Sequence, residues 1–253
     1  MSIYRQFAQG KYPRPCIAEM GGKNPSIIAE KANLDTAAMG VMRSAFGLQG
    51  QKCSANSRVY VHDAVKESFM DKLVDLTRDI QIGPPWKKEY WMGPVINKGA
   101  YENYRRFVKD LGENGRIVYG GSTLEKEKGY YVEPTIVDSL SHDHPLWEHE
   151  MFLPIVTVAE FQELEEAMEK ANGVDYGLTA GFYSEDDGEV AWFLDKIEAG
   201  VVYVNRKAGA TTGAWPGYQP FGGWKGSGST GKAGGGRYYV QQYMHEQSQT
   251  VID

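Results

Sequence analysis

Three consecutive stretches decide the fold: Ser26-Ile27-Ile28-Ala29, then Leu34-Asp35-Thr36-Ala37-Ala38-Met39-Gly40-Val41-Met42-Arg43-Ser44-Ala45-Phe46-Gly47-Leu48, then Ser57-Arg58-Val59-Tyr60-Val61-His62. The first is a short apolar run and reads as extended. In the second, Ala37, Ala38, Val41, Met42, Ala45 and Phe46 recur at helical spacing, Asn33 or Asp35 is placed to cap it, and Gly47 and Gly50 end it. The third alternates as a strand. A strand, a crossover helix and a strand imply parallel pairing, because parallel neighbours need a long connection.

Outward from this unit the pattern repeats. Residues 63–80 form an amphipathic helix with Val65, Phe69, Leu73 and Leu76 on one face, and Gly83-Pro84-Pro85 breaks the chain. A helix is expected at 98–111, a strand at 116–119, extended chain at 129–137, a helix at 161–171, a strand at 178–183, a helix at 186–197 and a strand at 200–205. Residues 14–18 also read as extended, before the turn Gly21-Gly22-Lys23-Asn24-Pro25. The fold class is therefore α/β, a mainly parallel twisted sheet with helices on both faces. The tail from 238 to 252 reads as extended or mixed and suits strand addition to another subunit's sheet.

The chain has 253 residues, 42% hydrophobic and 12% aromatic, enough core for one large domain or two small ones. Its net charge of −6, without a Lys/Arg cluster, argues against a nucleic-acid partner. No apolar run has the length of a membrane span, and Met1-Ser2-Ile3-Tyr4-Arg5 lacks a signal-peptide core, so a soluble cytoplasmic protein is expected.

There are two cysteines. In that compartment they are not expected to pair. Cys16, in Pro15-Cys16-Ile17-Ala18, reads as a small buried hydrophobe at the start of a strand. Cys53 lies in the polar loop Gly50-Gln51-Lys52-Cys53-Ser54-Ala55-Asn56, with a helix leading in and a strand leading out. That places a thiol at the sheet edge, where open α/β folds carry their sites. To react it needs a lowered pKa or a base, and Lys52 and Glu19 are the candidates. Glu19 and Glu150 each stand beside an apolar run, where a carboxylate is badly placed for plain solvation.

Other motifs carry less. Gly226-Ser227-Gly228-Ser229-Thr230-Gly231 satisfies G-x-G-x-x-G, but neither a strand before it nor a helix after it is expected. Ala233 stands where a P-loop needs Ser or Thr. It reads as a glycine-rich loop of close backbone approach. His142, Asp143, His144 and His149 lack ligand spacing and surround Pro145, so no metal site is expected. A Cys53–His dyad of a cysteine hydrolase has no local support.

Taken in order, Glu19-Met20-Gly21-Gly22-Lys23-Asn24-Pro25, Gly50-Gln51-Lys52-Cys53, Glu150-Met151-Phe152-Leu153-Pro154 and Pro220-Phe221-Gly222-Gly223-Trp224-Lys225-Gly226-Ser227-Gly228 resemble the aldehyde dehydrogenase superfamily. Further pieces are similar to its 1-pyrroline-5-carboxylate dehydrogenase branch: Cys53-Ser54-Ala55, Gly129-Tyr130-Tyr131-Val132-Glu133-Pro134-Thr135, Asn205-Arg206-Lys207, and residues 212–221. The resemblance implies oxidation of glutamate γ-semialdehyde to glutamate with NAD, the last step of proline breakdown. It implies Cys53 as the nucleophile that becomes a thioester and Glu19 as the acid that activates water. Glu150 would hold the nicotinamide ribose, with Phe152 beside it. Ser54, Gly213 and Ala214 would anchor the substrate's carboxylate and amino group, and Phe221 would wall its aliphatic chain. A nest of bare N–H groups at Gly213-Ala214 suits an anion.

Two departures from the family pattern stand out: Leu153 occupies a usual glycine, and the 208–217 loop is longer than in many relatives. Family members are about twice this length. The resemblance therefore implies residues 1–25 as the end of a dinucleotide domain and linker, 26–236 as the catalytic domain and 237–253 as a possible oligomerisation strand. NAD would be bound mostly by a half that is absent, leaving this chain inactive or weakly active alone. A small aldehyde substrate and a homo-oligomer are the expected partners. A non-catalytic or complementing assembly module is the alternative.

Overall fold

The computed structural model describes residues 2–12, 14–124, 129–215, 217–232 and 234–253. Chain order begins with α1 (Ser2–Ala8), β1 (Asn24–Ile28), α2 (Leu34–Phe46), β2 (Asn56–His62), α3 (Asp63–Arg78) and α4 (Lys98–Asn114). Next come β3 (Arg116–Tyr119), β4 (Thr123–Leu124), β5 (Tyr131–Val132), β6 (Thr135–Asp138), β7 (Ile155–Phe161) and α5 (Leu164–Asn172). The order closes with β8 (Tyr176–Gly177), β9 (Thr179–Tyr183), α6 (Asp187–Lys196), β10 (Val201–Val204) and β11 (Trp224–Lys225).

Among the described residues, seven strands form one sheet in the order β10-β9-β1-β2-β7-β6-β3. Every pairing is parallel except β3 with β6. Strand alternation sends side chains to two cores. Ile28, Val59, Val61, Val156 and Val158 meet α2 and α3 on one face. Ile27, Tyr60, Ile155 and Phe161 meet α4, α5 and α6 on the other. The expected fold class is thus observed.

Local signals explain the elements. Asn33 caps α2 by accepting from the Thr36 N–H at 3.0 Å, while Asp35 sits in the first turn and pairs with Lys72. Asn97 caps α4 by accepting from Ala100 N–H at 2.9 Å. After α2 the chain takes three successive left-handed residues, Leu48 (φ 53°), Gln49 (φ 57°) and Gly50 (φ 64°), and so reverses into the Cys53 loop.

Several elements differ from expectation. Residues 14–18 form no strand; an isolated bridge joins Glu19 to Gly228 instead. The segment is held by Ser229, which donates to Cys16 O at 2.9 Å and accepts from Ala18 N–H at 2.7 Å. Cys16 is accordingly half-buried rather than a core residue. Helix α1 carries no buried residue, so no hydrophobic pattern announced it. The helix expected from 161 begins at Leu164, because Phe161 closes β7. The extended stretch 129–137 is split into β5 and β6 around Glu133-Pro134. The tail, expected to be extended or mixed, shows a short helical turn at Val240–Tyr243. Among the described residues, no helix is long and apolar enough to cross a membrane.

Candidate active site

The segments carrying Glu19, Cys53 and Glu150 run into β1, β2 and β7, three adjacent parallel strands. All three therefore meet at the amino ends of the sheet. The sheet-edge location is right, but it is the end opposite to the one open α/β folds ordinarily use.

Asn24, at the start of β1, organises the meeting. Its buried amide donates to Cys53 O at 2.7 Å and Ala55 O at 2.8 Å, and its Oδ1 accepts from Thr179 N–H at 3.0 Å. Asn56 returns the tie by donating to Asn24 O at 3.0 Å. Close backbone approach then explains the double glycine. A Cβ on Gly22 would lie 2.5 Å from Cys53 O, and one on Gly21 would overlap Glu150 Oε2. Gly22 N–H donates to Glu150 Oε1 at 3.0 Å. One dipeptide thus fixes Glu150 against the Cys53 loop.

Phe152, two residues beyond Glu150, is half-exposed and left-handed (φ 56°), a conformation costing a bulky residue about 1–2 kcal/mol. Leu153, the departure from the family pattern, is buried, and its carbonyl lies where a Cβ on Gly50 would intrude.

The electrostatics run against an activated thiol. Burial pushes the Cys53 thiol up, and the Glu19 and Glu150 carboxylates push it the same way; N–H groups of Ser54 and Cys53 offset part of this. Lys52 does not act as the expected activator. Burial lowers its own amine, and the Cys53 charge only partly restores it. Glu19 itself is exposed, yet close enough to be the largest charge acting on Cys53.

The substrate-anchor candidates lie on the other side. Ser54 O accepts from Thr211 Oγ1 at 2.7 Å, and Thr211 is bound to Ser44 at 2.8 Å through the hydroxyls. This latch ties the 205–214 loop to the Cys53 loop. Gly213 is left-handed (φ 121°), and Ala214 beside it is half-buried. Phe221 is fixed differently: its N–H and carbonyl exchange bonds with Gly234 at 2.8 and 2.7 Å, so its anchor is the glycine-rich tail.

The remaining motifs have structural roles. Ser227, in the glycine-rich run, is buried, donates to Gly21 O at 2.7 Å and accepts from Gly177 N–H at 3.1 Å. His144 caps the turn at Leu146, His142 bonds Lys170, and His149 packs on Phe107. Among the described residues no group of three His, Cys, Asp or Glu could hold a metal ion.

Three functional neighbours escaped the sequence reading: Lys23, Asn24 and Thr211. Lys23 is buried with no partner for Nζ. Burial and Arg58 lower it to about 7, and Glu150 opposes that shift. A lysine in the turn just ahead of the apolar run Ile27-Ile28-Ala29 was the available signal.

With this geometry in place, the comparisons decide the family. A model of the aldehyde dehydrogenase family matches residues 1–249. The chain belongs to the aldehyde dehydrogenase family. It is 37% identical over 237 residues to 1-pyrroline-5-carboxylate dehydrogenase 2 of Bacillus subtilis, covering 94% of this chain and 45% of that protein. The crystal structure of a 1-pyrroline-5-carboxylate dehydrogenase from Thermus with bound NAD is similar at TM-score 0.89 and 32% identity, covering 96% of this chain and 46% of that one. The proline utilization A protein of Bdellovibrio bacteriovorus is similar at TM-score 0.90 and 38% identity, covering 96% and 25%. The chain thus spans less than half the length of the aldehyde dehydrogenases it matches.

Proposed function

We propose that this chain carries the nucleophile-bearing portion of an NAD-dependent glutamate γ-semialdehyde dehydrogenase. The observation that carries the reading is the convergence of Cys53, Glu19 and Glu150 at the amino ends of β1, β2 and β7, with Asn24 holding the Cys53 loop and Gly22 holding Glu150. Its substrate choice is supported by likeness to proteins named 1-pyrroline-5-carboxylate dehydrogenase. In this reading the reaction ends proline breakdown, and the protein works as a cytoplasmic homo-oligomer.

The residues present fit the cofactor. Glu150 Oε1 receives one N–H, leaving lone pairs free for ribose hydroxyls, and Phe152 offers a half-exposed ring nearby. NAD, when bound, supplies the acceptor for the hydride that leaves the substrate carbon. The chain's own residues do the rest. Cys53 Sγ bonds the aldehyde carbon as its carbonyl π bond opens, and later holds the acyl group. Glu19 takes a proton from the water that releases it. Ser54, Gly213 and Ala214 hold the polar end of the substrate, and Phe221 packs on its chain.

The test is to mix the chain with a recombinant amino-terminal half of a relative, add NAD and the semialdehyde, follow NADH, and trap the Cys53 peptide for mass spectrometry. An acyl mass on Cys53, absent in Cys53→Ala and accumulating in Glu19→Gln, is expected. NADH formation undiminished in Cys53→Ala would overturn the assignment. The raised thiol favours a second reading, a non-catalytic assembly module. That reading expects no adduct and a mass above the monomer on sizing.

A further inference from the structure

Two arginines lie near the site's supporting loops, Arg58 buried and Arg206 half-buried, and they differ in one respect. Arg58 uses its whole guanidinium. Nε donates to Lys23 O at 2.8 Å, Nη1 to Lys170 O at 2.9 Å and Nη2 to Ala171 O at 3.0 Å. Arg206, just beyond β10, has a buried Nε with no acceptor, and no described residue accepts from its guanidinium. It lies 5.1 Å over the ring of Tyr203, whose buried hydroxyl is also without a partner. A charged donor is not left bare in a folded interior without reason.

The position of Arg206 supplies the reason. A Cβ on Gly213 would overlap Arg206 Nη2, so the glycine lets the guanidinium lie against the backbone of the anchor turn. The Arg206 backbone is pinned by Tyr183, whose hydroxyl donates to Arg206 O at 2.9 Å. Thr211, between Arg206 and Gly213, donates to Ser54 O at 2.7 Å. The guanidinium and the Cys53 thiol are therefore held in one rigid frame.

We propose that Arg206 is a specificity-determining residue that selects aldehydes carrying a carboxylate at the far end of the chain. The guanidinium receives the carboxylate while the aldehyde carbon meets Cys53. A planar fork of donors matches a carboxylate better than bare backbone N–H groups do. The inference rests on Cys53 being the aldehyde-binding thiol.

The test reads that thiol directly and needs no cofactor. An aldehyde protects Cys53 from iodoacetamide by forming a hemithioacetal: the Sγ–C bond forms, the carbonyl π bond opens, and the thiol proton ends on the oxygen. Protection by 5-oxopentanoate is compared with protection by pentanal, which has the same chain without the carboxylate. Peptide-resolved mass spectrometry separates Cys53 from Cys16, the internal reference. In the native chain 5-oxopentanoate protects at roughly 10-fold lower concentration, the size of one charged hydrogen bond. Arg206→Met brings the two half-protection concentrations together, and Arg206→Lys restores part of the gap. A merely structural role would move both curves alike. An undiminished gap in Arg206→Met overturns the role of Arg206 and leaves the thiol's role standing. Failure of both aldehydes to protect the native chain overturns the thiol's role as well.

Discussion

The two sides of the candidate site are built differently. On the β1–β2–β7 side, the donors of Asn24, Asn56 and Arg58 are bonded to backbone, although Lys23 Nζ, Ser26 Oγ, Asn56 Oδ1 and Ser57 Oγ have no partner among the described residues. On the 205–221 side, Thr211 is the one buried latch to the Cys53 loop among the described residues, and Arg206 and Tyr203 keep donors unspent. The difference lies in the two guanidinium groups: Arg58 spends its donors on backbone and holds shape, while Arg206 keeps its own beside the Gly213 turn.

The comparison can be broken most severely at Arg58. Arg58→Met takes the guanidinium donors from the carbonyls of Lys23, Lys170 and Ala171, the last two at the end of α5, and leaves Lys170 O only the 3.4 Å bond from the Tyr60 hydroxyl. Urea unfolding is expected to show a loss of about 3–5 kcal/mol. Arg206→Met, which removes a guanidinium with no described acceptor, is expected to cost far less in the same assay.

Lys23 is the charged group of the β1–β2–β7 side that is buried without a partner among the described residues. Its amine is lowered to about 7, between the Arg58 charge that depresses it and the Glu150 charge that raises it. Between that value and the ordinary 10.5, the unfolded chain binds a proton that the folded chain does not. Stability should therefore rise with pH across this window, by up to about 1.4 kcal/mol per pH unit. Urea midpoints measured at steps from pH 7 to 10 should lose this slope in Lys23→Met.

Thr211→Val tests the latch. It unpairs Ser54 O and leaves Ser44 Oγ only the backbone N–H of residue 211, and calorimetry is expected to show about 1–2 kcal/mol of destabilisation. The smallest effect is electrostatic. Glu19→Gln removes the largest charge raising the Cys53 thiol, so the midpoint of its alkylation rate against pH should fall. A midpoint that stays put would remove Glu19 from the thiol's surroundings.

Much of the fold was legible because its signals are local. The helix after Asn33 and the strand Asn56–His62 announce themselves by capping and alternation. The strand Ile155–Phe161 did not: nearly every residue is buried, so Ile155-Val156-Thr157-Val158-Ala159 shows no alternation. The identities of Cys53, Glu19 and Glu150 were readable as motifs. Which end of the sheet they occupy depends on loops returning past the strand ends, and the direction of the thiol shift depends on burial. Neither is written in any one segment. Arg206 lay in a quoted motif, but only the missing acceptor separates it from Arg58, and that requires three dimensions.

Asn24 has a kinetic consequence. One carboxamide bonds both the Cys53–Ala55 turn and the Thr179 amide of β9. The Cys53 turn and the first residue of β9 therefore share a single latch, and the turn cannot swing away without unprotecting an amide two strands distant. In deuterated water Thr179 should exchange at the pace of the turn rather than at that of its strand, a clock for how often the thiol leaves its station.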